Sequence, residues 1–362
     1  MDERWALLGM ALVDGVGALR MRALLDKFKS AAAAWENRRE WRAVPGIGPV
    51  ITRAALKVTE EDVERQRRAL EALGARFITD EDPEWPEGLR HVTPPPKVLF
   101  VRGRLPRGFA ESVAIVGSRK ASAGGMKVAR EMGRDLAAVG VVVVSGLARG
   151  IDGAAHRGAL DARGRTVAVL GCGLDIAYPP EHRSLMEEIA AQGALVSEYP
   201  LGQYPKPSHF PARNRIIAGL SRAVVLLECG PESGALHTVH FALDLGRDVM
   251  AVPGDVHRWH SAGPNELIRQ GATLVRNAAD VLSELGWTVM PAPAAGDGWS
   301  LRGPGGGPER FIAALKEAGP LSVDELAGRT GAPVEEAAAA VTWLEVLGRV
   351  RREPGGRFAA YD

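Results

Sequence analysis

Val113-Ala-Ile-Val-Gly-Ser-Arg119 is the stretch that decides the fold. Its β-branched run ends in glycine and serine. The apolar residues that follow recur at the spacing of a helix. Ser145-Gly-Leu-Ala-Arg-Gly-Ile-Asp152 repeats this order after a second β-branched run. Strands that each lead through a turn into a helix are typical of a parallel sheet, which presents those turns to a ligand. The sequence therefore predicts a ligand-binding edge built from these turns.

The same alternation of strand and helix continues along the central region. We predict strands at residues 113–116, 141–144, 166–170, 195–197, 223–227 and 249–252, with 273–275 as a further candidate. Between the first two, Val128, Met132 and Leu136 recur at helical spacing, which indicates an amphipathic crossover helix. The predicted fold class is α/β, a Rossmann-like doubly wound and mostly parallel sheet.

A length of 362 residues predicts two or three domains, and the pattern along the chain divides it into four segments. They are a helical domain at 1–75, the sheet domain at 76–288, a flexible linker at 289–307 and a winged-helix domain at 308–362. Prolines between residues 75 and 103 suit edge strands and connecting loops, and we attach this piece to the sheet. In the last segment Ser322 and Glu325 have the spacing of a capping box.

Two glycine hairpins interrupt the N-terminal helices. Val13-Asp-Gly-Val-Gly-Ala-Leu-Arg20 and Val44-Pro-Gly-Ile-Gly-Pro-Val-Ile-Thr-Arg53 each lead into a helix. They resemble helix-hairpin-helix units, whose glycines let backbone N–H groups approach a phosphate. In a small helical domain the same glycines would only make tight turns, and both interpretations stay open.

The overall composition excludes several classes of protein. Hydrophobic residues make up 46% and charged residues 25% of the chain, as in a soluble globular protein. The apolar runs are too short to span a membrane and the first residues do not resemble a signal sequence, so we expect a cytoplasmic protein without membrane contact. Cys172 and Cys229 lack a Cys-x-x-Cys partner, which predicts buried thiols and no cofactor. A net charge of +1 means that any site for a polyanion must be local.

The first local concentration of positive charge lies at the turn Gly117-Ser118-Arg119. No Asp or Glu occurs from 112 to 130, whereas Arg119 and Lys120 do. N–H groups and the helix dipole at such a turn favour an anion. The pattern is neither a dinucleotide nor a P-loop fingerprint, so the choice lies between a general anion site and a purely structural turn.

A second stretch without carboxylates runs from 199 to 227. Its cations are Lys206, Arg213, Arg215 and Arg222, and its rings are Tyr204, His209 and Phe210. Basic groups with interleaved rings are typical of proteins that bind single-stranded nucleic acid. Alternatively, Phe210 is a core residue and the arginines form a solvated face. Cations without an acidic neighbour would repel each other unless an anion is bound, which favours the binding site.

Other polar residues predict less chemistry. Arg149 lies on the neighbouring turn and adds a cation to the same edge. Asp152 and His156 could form an acid–base pair, but we expect Asp152 to cap or charge the first turn of its helix. Four further histidines suggest a metal site only weakly, and no nucleophile elbow is present. They are His237, His240, His257 and His260.

Taken together, these motifs resemble the DprA family, also called Smf, the DNA-processing proteins of bacterial transformation. Besides 113–119 and 145–152, the resemblance rests on the four segments Val167-Ala-Val-Leu-Gly-Cys-Gly-Leu-Asp175, Ser197-Glu-Tyr-Pro200, 210–221 and Ala251-Val-Pro-Gly254. It covers about residues 110 to 285. The flanking helical and winged-helix segments match the family's domain order more loosely.

The resemblance implies a non-enzymatic protein that binds single-stranded DNA, loads RecA recombinase on incoming strands during natural transformation, and displaces single-strand binding protein. It also implies a dimer formed through the Rossmann-like domain. The DNA-binding residues that it implies, together with Lys120 from the same turn, are Gly117, Ser118, Arg119, Lys120, Arg149, Lys206, Phe210, Arg213, Asn214 and Arg215. Duplex DNA is a further candidate partner for the terminal domains.

Two other functions compete with this hypothesis. Nucleotide phosphoribohydrolases of related fold carry a glycine-rich Pro-Gly-Gly-x-Gly-Thr loop, but here the sequence is Pro231-Glu-Ser-Gly-Ala-Leu-His-Thr238. A winged-helix transcription regulator needs donors on its recognition helix, but residues 334–347 contain three Glu and no Arg or Lys. We therefore expect the C-terminal domain to contact protein, or phosphate weakly through the arginines of its hairpin.

Overall fold

The computed structural model describes residues 1–291, 299–302, 309–346, 349–353 and 355–361. The chain divides into two units, one of Met1–Ala137 with Val142–Arg276, the other of Ala138–Val141 with Asn277–Asp362. Within the described ranges, no helix is long and apolar enough to cross a membrane.

The first unit begins with five helices. They are α1 (Glu3–Leu12), α2 (Ala18–Phe28), α3 (Ala31–Glu36), α4 (Pro49–Lys57) and α5 (Glu60–Ala72). Trp41 is buried among them, and its indole N–H donates to the Ala34 carbonyl at 2.7 Å. A capping box of Thr59 and Asp62 begins α5. This segment is helical up to residue 72, as the sequence predicts.

The two glycine hairpins lie side by side in this helical part. Gly17 and Gly48 are the N-caps of α2 and α4, and neither helix start has a side-chain cap. The Arg20 guanidinium joins the hairpins, because it donates to the Gly15 carbonyl at 2.7 Å and to the Gly46 carbonyl at 2.8 Å. This geometry fits both a phosphate-binding unit and a pair of tight turns, so duplex binding here stays a prediction.

A nine-stranded sheet follows. Its strands are β1 (Ala75–Thr79), β2 (Val98–Gly103), β3 (Ser112–Val116), β4 (Val142–Ser145), β5 (Thr166–Leu170), β6 (Ala194–Ser197), β7 (Ala223–Leu226), β8 (Asp248–Ala251) and β9 (Thr273–Leu274). The helices between them are α6 (Ala123–Ala138), α7 (Ile151–Asp161), α8 (Arg183–Gln192), α9 (His209–Gly219), α10 (Ala235–Asp244) and α11 (Ala262–Arg269).

The strand order is β1-β2-β6-β5-β4-β3-β7-β8-β9. Strands β3 to β9 pair in parallel, and β1 and β2 join antiparallel at one side. The prediction of a doubly wound, mostly parallel sheet is thus confirmed. The expectation of edge strands before residue 103 holds for β1 but is wrong for β2, which lies between β1 and β6. The prolines that suggested an edge lie in the connection between these two strands.

The order of the strands reverses between β3 and β7. Successive strands from β3 to β6 extend the sheet in one direction, and β7 to β9 extend it in the other. In doubly wound sheets, ligands bind outside the carboxyl ends of the strands at this switch point. The turns that the sequence singled out, after β3 and β4, both lie on this carboxyl edge of the sheet.

The second unit contains a helix, a pair of strands, three more helices and a hairpin. These are α12 (Ala278–Glu284), β10 (Thr288–Pro291), β11 (Trp299–Arg302), α13 (Glu309–Ala318), α14 (Val323–Thr330), α15 (Val334–Val346), β12 (Val350–Glu353) and β13 (Arg357–Ala360). Ser322 and Glu325 form the predicted capping box of α14, with the Glu325 N–H donating to Ser322 Oγ at 3.3 Å.

The segment predicted as a linker, 289–307, contains most of an antiparallel pair, because β10 pairs with β11. Composition gave no sign of these strands. The rest of that prediction, at 292–298 and 303–307, lies outside the described residues. The limits of the four predicted domains stay predictions.

Candidate nucleic-acid interface

A small cavity of about 30 Å³ opens at the carboxyl edge of the sheet. Four of the residues predicted from the sequence line it, namely Arg119, Arg149, Phe210 and Arg213. They come from the turns after β3 and β4 and from the first turns of α9. The structure therefore brings together side chains that are far apart in the sequence.

Phe210, the second residue of α9, covers this cavity. Its ring packs on Gly171, where an added Cβ would lie 3.1 Å from the ring. The Tyr178 ring lies 5.3 Å away between centroids, and the Arg119 guanidinium carbon lies 4.9 Å from the Phe210 centroid. Phe210 is half-buried at the edge of the sheet, between an aromatic ring and a cation, and does not belong to the sheet core. Base stacking on it stays a prediction.

Arg119 and Lys120 are exposed on the turn after β3. Within the described part of the chain, neither side chain has a hydrogen bond or a salt bridge. Arg119 lies over the Phe210 ring and acts on the buried Asp152 carboxylate only through its electric field. Cations without an internal partner can exchange water for phosphate without first breaking an ion pair. They are the most available positive charges of the candidate interface.

Gly117 and Ser118 shape this turn from beneath. An added Cβ at Gly117 would lie 2.6 Å from the Ile151 side chain and 2.9 Å from the Glu228 carbonyl oxygen. Ser118 is buried, and its hydroxyl accepts a hydrogen bond from the Lys120 N–H at 3.0 Å. These two residues fix the position of Arg119 and Lys120 and present little surface of their own.

The sequence predicted an anion site where this turn meets α6, and the structure fills that position with a carboxylate of the chain itself. Glu228 follows β7, and its two carboxylate oxygens accept from the Ser122 N–H at 2.7 Å and from the Ser122 hydroxyl at 2.6 Å. Gly125 leaves room for this group, because an added Cβ would lie 2.4 Å from its carboxyl carbon. The helix start thus binds Glu228, and phosphate would have to bind through the side chains of the turn.

The second stretch without carboxylates is also neutralised from elsewhere. Lys206 pairs with Asp14 at 2.9 Å, Arg215 pairs with Glu198, and Arg222 pairs with Asp248. The inference that these cations require an external anion was therefore wrong. A scan along the sequence cannot find partners that the fold brings in from distant segments.

Arg213 is buried beneath the cavity, with 5% of the residue exposed. Its guanidinium donates to the Gly146 carbonyl at 2.7 Å, to the Val169 carbonyl, and to Asn214 Oδ1 at 2.9 Å. Burial lowers the pKa of Arg213, and the nearby Asp152 carboxylate opposes that shift. Arg213 therefore connects the ends of β4 and β5 to α9 and presents little of its charge to solvent.

We expected Asp152 to cap or charge the first turn of its helix; it does place its charge in the first turn, but Gly150 and not Asp152 is the N-cap. It lies in the first turn of α7, and its carboxylate accepts from the Gly146 N–H at 3.1 Å in the turn after β4. Burial raises the pKa of Asp152, and Arg213 opposes that rise. His156 forms no pair with Asp152, because its Nδ1 lies 2.7 Å from the Thr166 hydroxyl and burial lowers its pKa to about 3.

Asn214 and Arg215 are also buried. The Asn214 amide donates to the Gly234 carbonyl at 3.1 Å. Arg215 makes a two-pronged ion pair with Glu198 at 2.5 and 2.6 Å and donates to the Pro94 carbonyl at 2.9 Å. These contacts hold α9, the helix that carries Phe210, against neighbouring segments.

The remaining predicted cations, Arg149 and Lys206, are exposed but paired. The Arg149 guanidinium donates to both carboxylate oxygens of Glu181, to Oε2 at 3.0 Å. The Lys206 ammonium donates to the Asp14 carboxylate. Arg149 lowers the pKa of Glu181, and Lys206 lowers the pKa of Asp14. Phosphate would compete with these two carboxylates.

We expect Glu181→Gln to bind oligo-dT about two- to fivefold more tightly, because it releases Arg149 and removes a negative charge beside the cavity. The measurement is a fluorescence anisotropy titration at low salt. Glu188→Gln is the matched control, since Glu188 pairs with Arg157 on α7 and does not line the cavity. Equal or weaker binding by Glu181→Gln would show that Glu181 does not compete with the strand.

Sequence reasoning missed three residues around this cavity. Gly171 and Tyr178 line it, and Glu181 neutralises one of its cations. All three follow β5, so the rule that ligands bind at the carboxyl ends of parallel strands could have found them. Among the described residues, no cluster of three or more His, Cys, Asp or Glu could hold a metal ion.

The arginines of the C-terminal hairpin are largely neutralised as well. Arg351 pairs with Glu353 at 3.0 Å, and Arg352 pairs with Glu345 at 3.5 Å. Arg357 pairs with Glu325 at 3.1 Å. This pattern favours protein contact or weak phosphate contact by this domain, which stays a prediction.

Comparison with known proteins identifies the family. Residues 76–286 match the family described as DNA recombination-mediator protein A, and residues 302–356 match the DprA winged helix domain. The chain belongs to the DprA family. The Protein Smf of Synechocystis is 34% identical over 99% of this chain and 98% of its own length. The winged helix that the sequence predicts is thereby confirmed.

Solved DprA structures share the fold. The X-ray structure of DprA from Streptococcus pneumoniae is 33% identical, with a TM-score of 0.66 over 77% of this chain and 95% of that one. A structure of DprA from Helicobacter pylori, described as revealing a single-stranded DNA binding mode, is 29% identical. Its TM-score is 0.52 over 58% of this chain and 95% of that one.

Proposed function

We propose that this DprA-family chain binds single-stranded DNA along the carboxyl edge of its sheet. The observation that carries the proposal is the turn after β3, where the side chains of Arg119 and Lys120 are exposed and make no salt bridge or hydrogen bond in the described part of the chain. Arg119 lies over the half-buried ring of Phe210. Cations beside an accessible ring suit a strand with a charged backbone and unpaired bases.

The predicted residues divide into two groups by their exposure. Those that would contact the strand are Arg119, Lys120, Arg149, Lys206 and Phe210, which the structure leaves exposed or half-buried. Those that would hold these groups in place are Gly117, Ser118, Arg213, Asn214 and Arg215.

The finer parts of the proposal come from the family. We infer that the bound strand is passed to RecA recombinase, that single-strand binding protein is displaced, and that the protein works as a dimer through its sheet domain. The H. pylori relative, described with a single-stranded DNA binding mode, supports the choice of strand.

We also infer that the role is non-enzymatic. The cavity beneath Phe210 holds about 30 Å³, whereas small-molecule pockets span about 300–1,000 Å³. This cavity is too small to enclose a nucleotide. The loop that binds phosphate in a phosphoribohydrolase is glycine-rich, whereas the corresponding residues here are Pro231-Glu-Ser-Gly-Ala-Leu-His-Thr238.

A salt titration tests the proposal. We expect the logarithm of the binding constant for oligo-dT to fall linearly with the logarithm of the salt concentration. Each phosphate contact on a single strand contributes about −0.7 to that slope, so four contacts predict a slope of about −3. The four cations are Arg119, Lys120, Arg149 and Lys206. A duplex of equal length and a nucleoside monophosphate serve as comparisons. A slope near zero, or a mononucleotide that binds as tightly as the oligomer, would contradict the proposal.

A further inference from the structure

Trp259 lies in the connection between β8 and α11 and is 61% exposed. Its ring packs on the backbone of Gly230, where an added Cβ would lie 2.0 Å from the nearest ring atom. The His260 ring meets it edge-on, with centroids 5.4 Å apart and an interplanar angle of 79°. The indole is therefore held in place by its neighbours and still offers a large apolar surface to solvent.

The position of this ring relates it to the candidate interface. Gly230 follows β7 and Trp259 follows β8, so both lie on the same carboxyl edge as Arg119. Glu228 connects the two places, because its carboxylate binds Ser122 in the turn after β3, and it lies two residues before Gly230. The turn with Arg119 and Lys120 thus lies between the Phe210 ring and the Trp259 ring along the sheet.

The strand order gives an estimate of the distance between the two glycines on which these rings pack. Phe210 packs on Gly171 after β5, and Trp259 packs on Gly230 after β7. From β5 the order is β4, β3 and then β7, three steps, which at about 4.8 Å each gives about 14 Å. A stacked strand advances about 3.4 Å per nucleotide, so the same strand could reach both rings over about four nucleotides.

We propose that Trp259 is a second stacking platform, for a nucleobase of the same single strand about four nucleotides from the base at Phe210. The inference rests on the proposed function. Exposed indole surface binds any base by stacking and needs no hydrogen-bond readout. The charge nearby is balanced, since Arg258 lies 3.8 Å from Asp255, so the platform contributes through stacking and not through phosphate.

The test compares Trp259→Ala with the wild-type chain on dT20 and dT3. We expect dT20 to bind about 5- to 100-fold more weakly. We expect no change for dT3, which is too short to reach from one ring to the other, and no change in the salt slope. Trp259→Phe keeps a ring and should retain most of the affinity. Val256→Ala is the matched control, because Val256 lies in the same loop and is 80% exposed.

A second measurement places the base directly. A series of dT20 strands, each with two 5-iododeoxyuridines separated by one to eight nucleotides, is photocrosslinked, and peptides attached to the same strand are identified. We expect strands attached both to Trp259 and to Tyr178 or Phe210 to be most frequent at a separation of about four nucleotides, whatever the register of the strand. Unfolding curves and light scattering of each variant separate loss of stacking from loss of folding or of assembly.

Each outcome decides one point. If Trp259→Ala binds dT20 as the wild type does, while Arg119→Ala binds it more weakly, the second platform is absent and the proposed function stands. If Trp259→Ala changes the oligomeric state, the ring belongs to a contact between copies of the chain and the inference fails. If the wild-type chain binds no oligo-dT at all, the proposed function itself fails.

Discussion

Replacing Arg215 with methionine is expected to lower the free energy of unfolding of the sheet domain by about 3 to 5 kcal/mol. The Arg215 side chain is only 5% exposed and that of its partner Glu198 13%. Removing the guanidinium leaves a nearly buried carboxylate without a counter-charge, and it also leaves the Pro94 carbonyl without a donor. Urea unfolding followed by circular dichroism measures the change.

Two further variants make this prediction specific. Arg215→Met combined with Glu198→Gln removes both charges and should recover a large part of the lost stability. Arg222→Ala removes an arginine from an ion pair whose side chains are 43% and 46% exposed, and should change stability by less than about 1 kcal/mol. If Arg215→Met unfolds like the wild type but binds oligo-dT with a reduced salt slope, Arg215 contacts phosphate and its positioning role is wrong.

The sheet was predictable because its strands are buried on both faces. Every residue of β3 and β5 is buried, and such strands are continuous apolar runs that the sequence displays directly. The position of β2 was not predictable in this way. Proline spacing around residues 83–96 indicates where strands end, but the neighbour of a strand depends on contacts that are distant in the chain.

The candidate site was predicted in part for the same reason. The turns after β3 and β4 were found because strand, turn and helix are adjacent in the sequence. The burial of Arg213 and Arg215 was not predicted, because their partners Asp152 and Glu198 come from other segments. Local charge counting identifies a cation but cannot tell whether the fold pairs it, which is why Arg119 and Arg215 looked alike in the sequence.

Replacing Arg119 with alanine is expected to weaken oligo-dT binding about 10- to 100-fold at low salt, because a charge-assisted contact of this kind contributes about 1.5 to 3 kcal/mol. The salt slope should fall by about 0.7, the share of one phosphate contact on a single strand. Stability should hardly change, since the Arg119 side chain is exposed and makes no salt bridge or hydrogen bond in the described part of the chain. Anisotropy titrations over a range of salt concentrations measure both quantities.

Three comparisons separate the parts of this effect. Arg222→Ala removes an exposed arginine at the start of β7, on the opposite edge of the sheet, and should leave affinity and slope unchanged. Arg119→Lys keeps the charge but not the planar group over Phe210, so it should keep the slope and lose part of the affinity. Because the guanidinium carbon lies 4.9 Å from the Phe210 ring centroid, the effects of Arg119→Ala and Phe210→Ala should not be additive. Additive effects would mean that cation and ring act on the strand independently, and an unchanged slope in Arg119→Ala would place the strand elsewhere on the sheet edge.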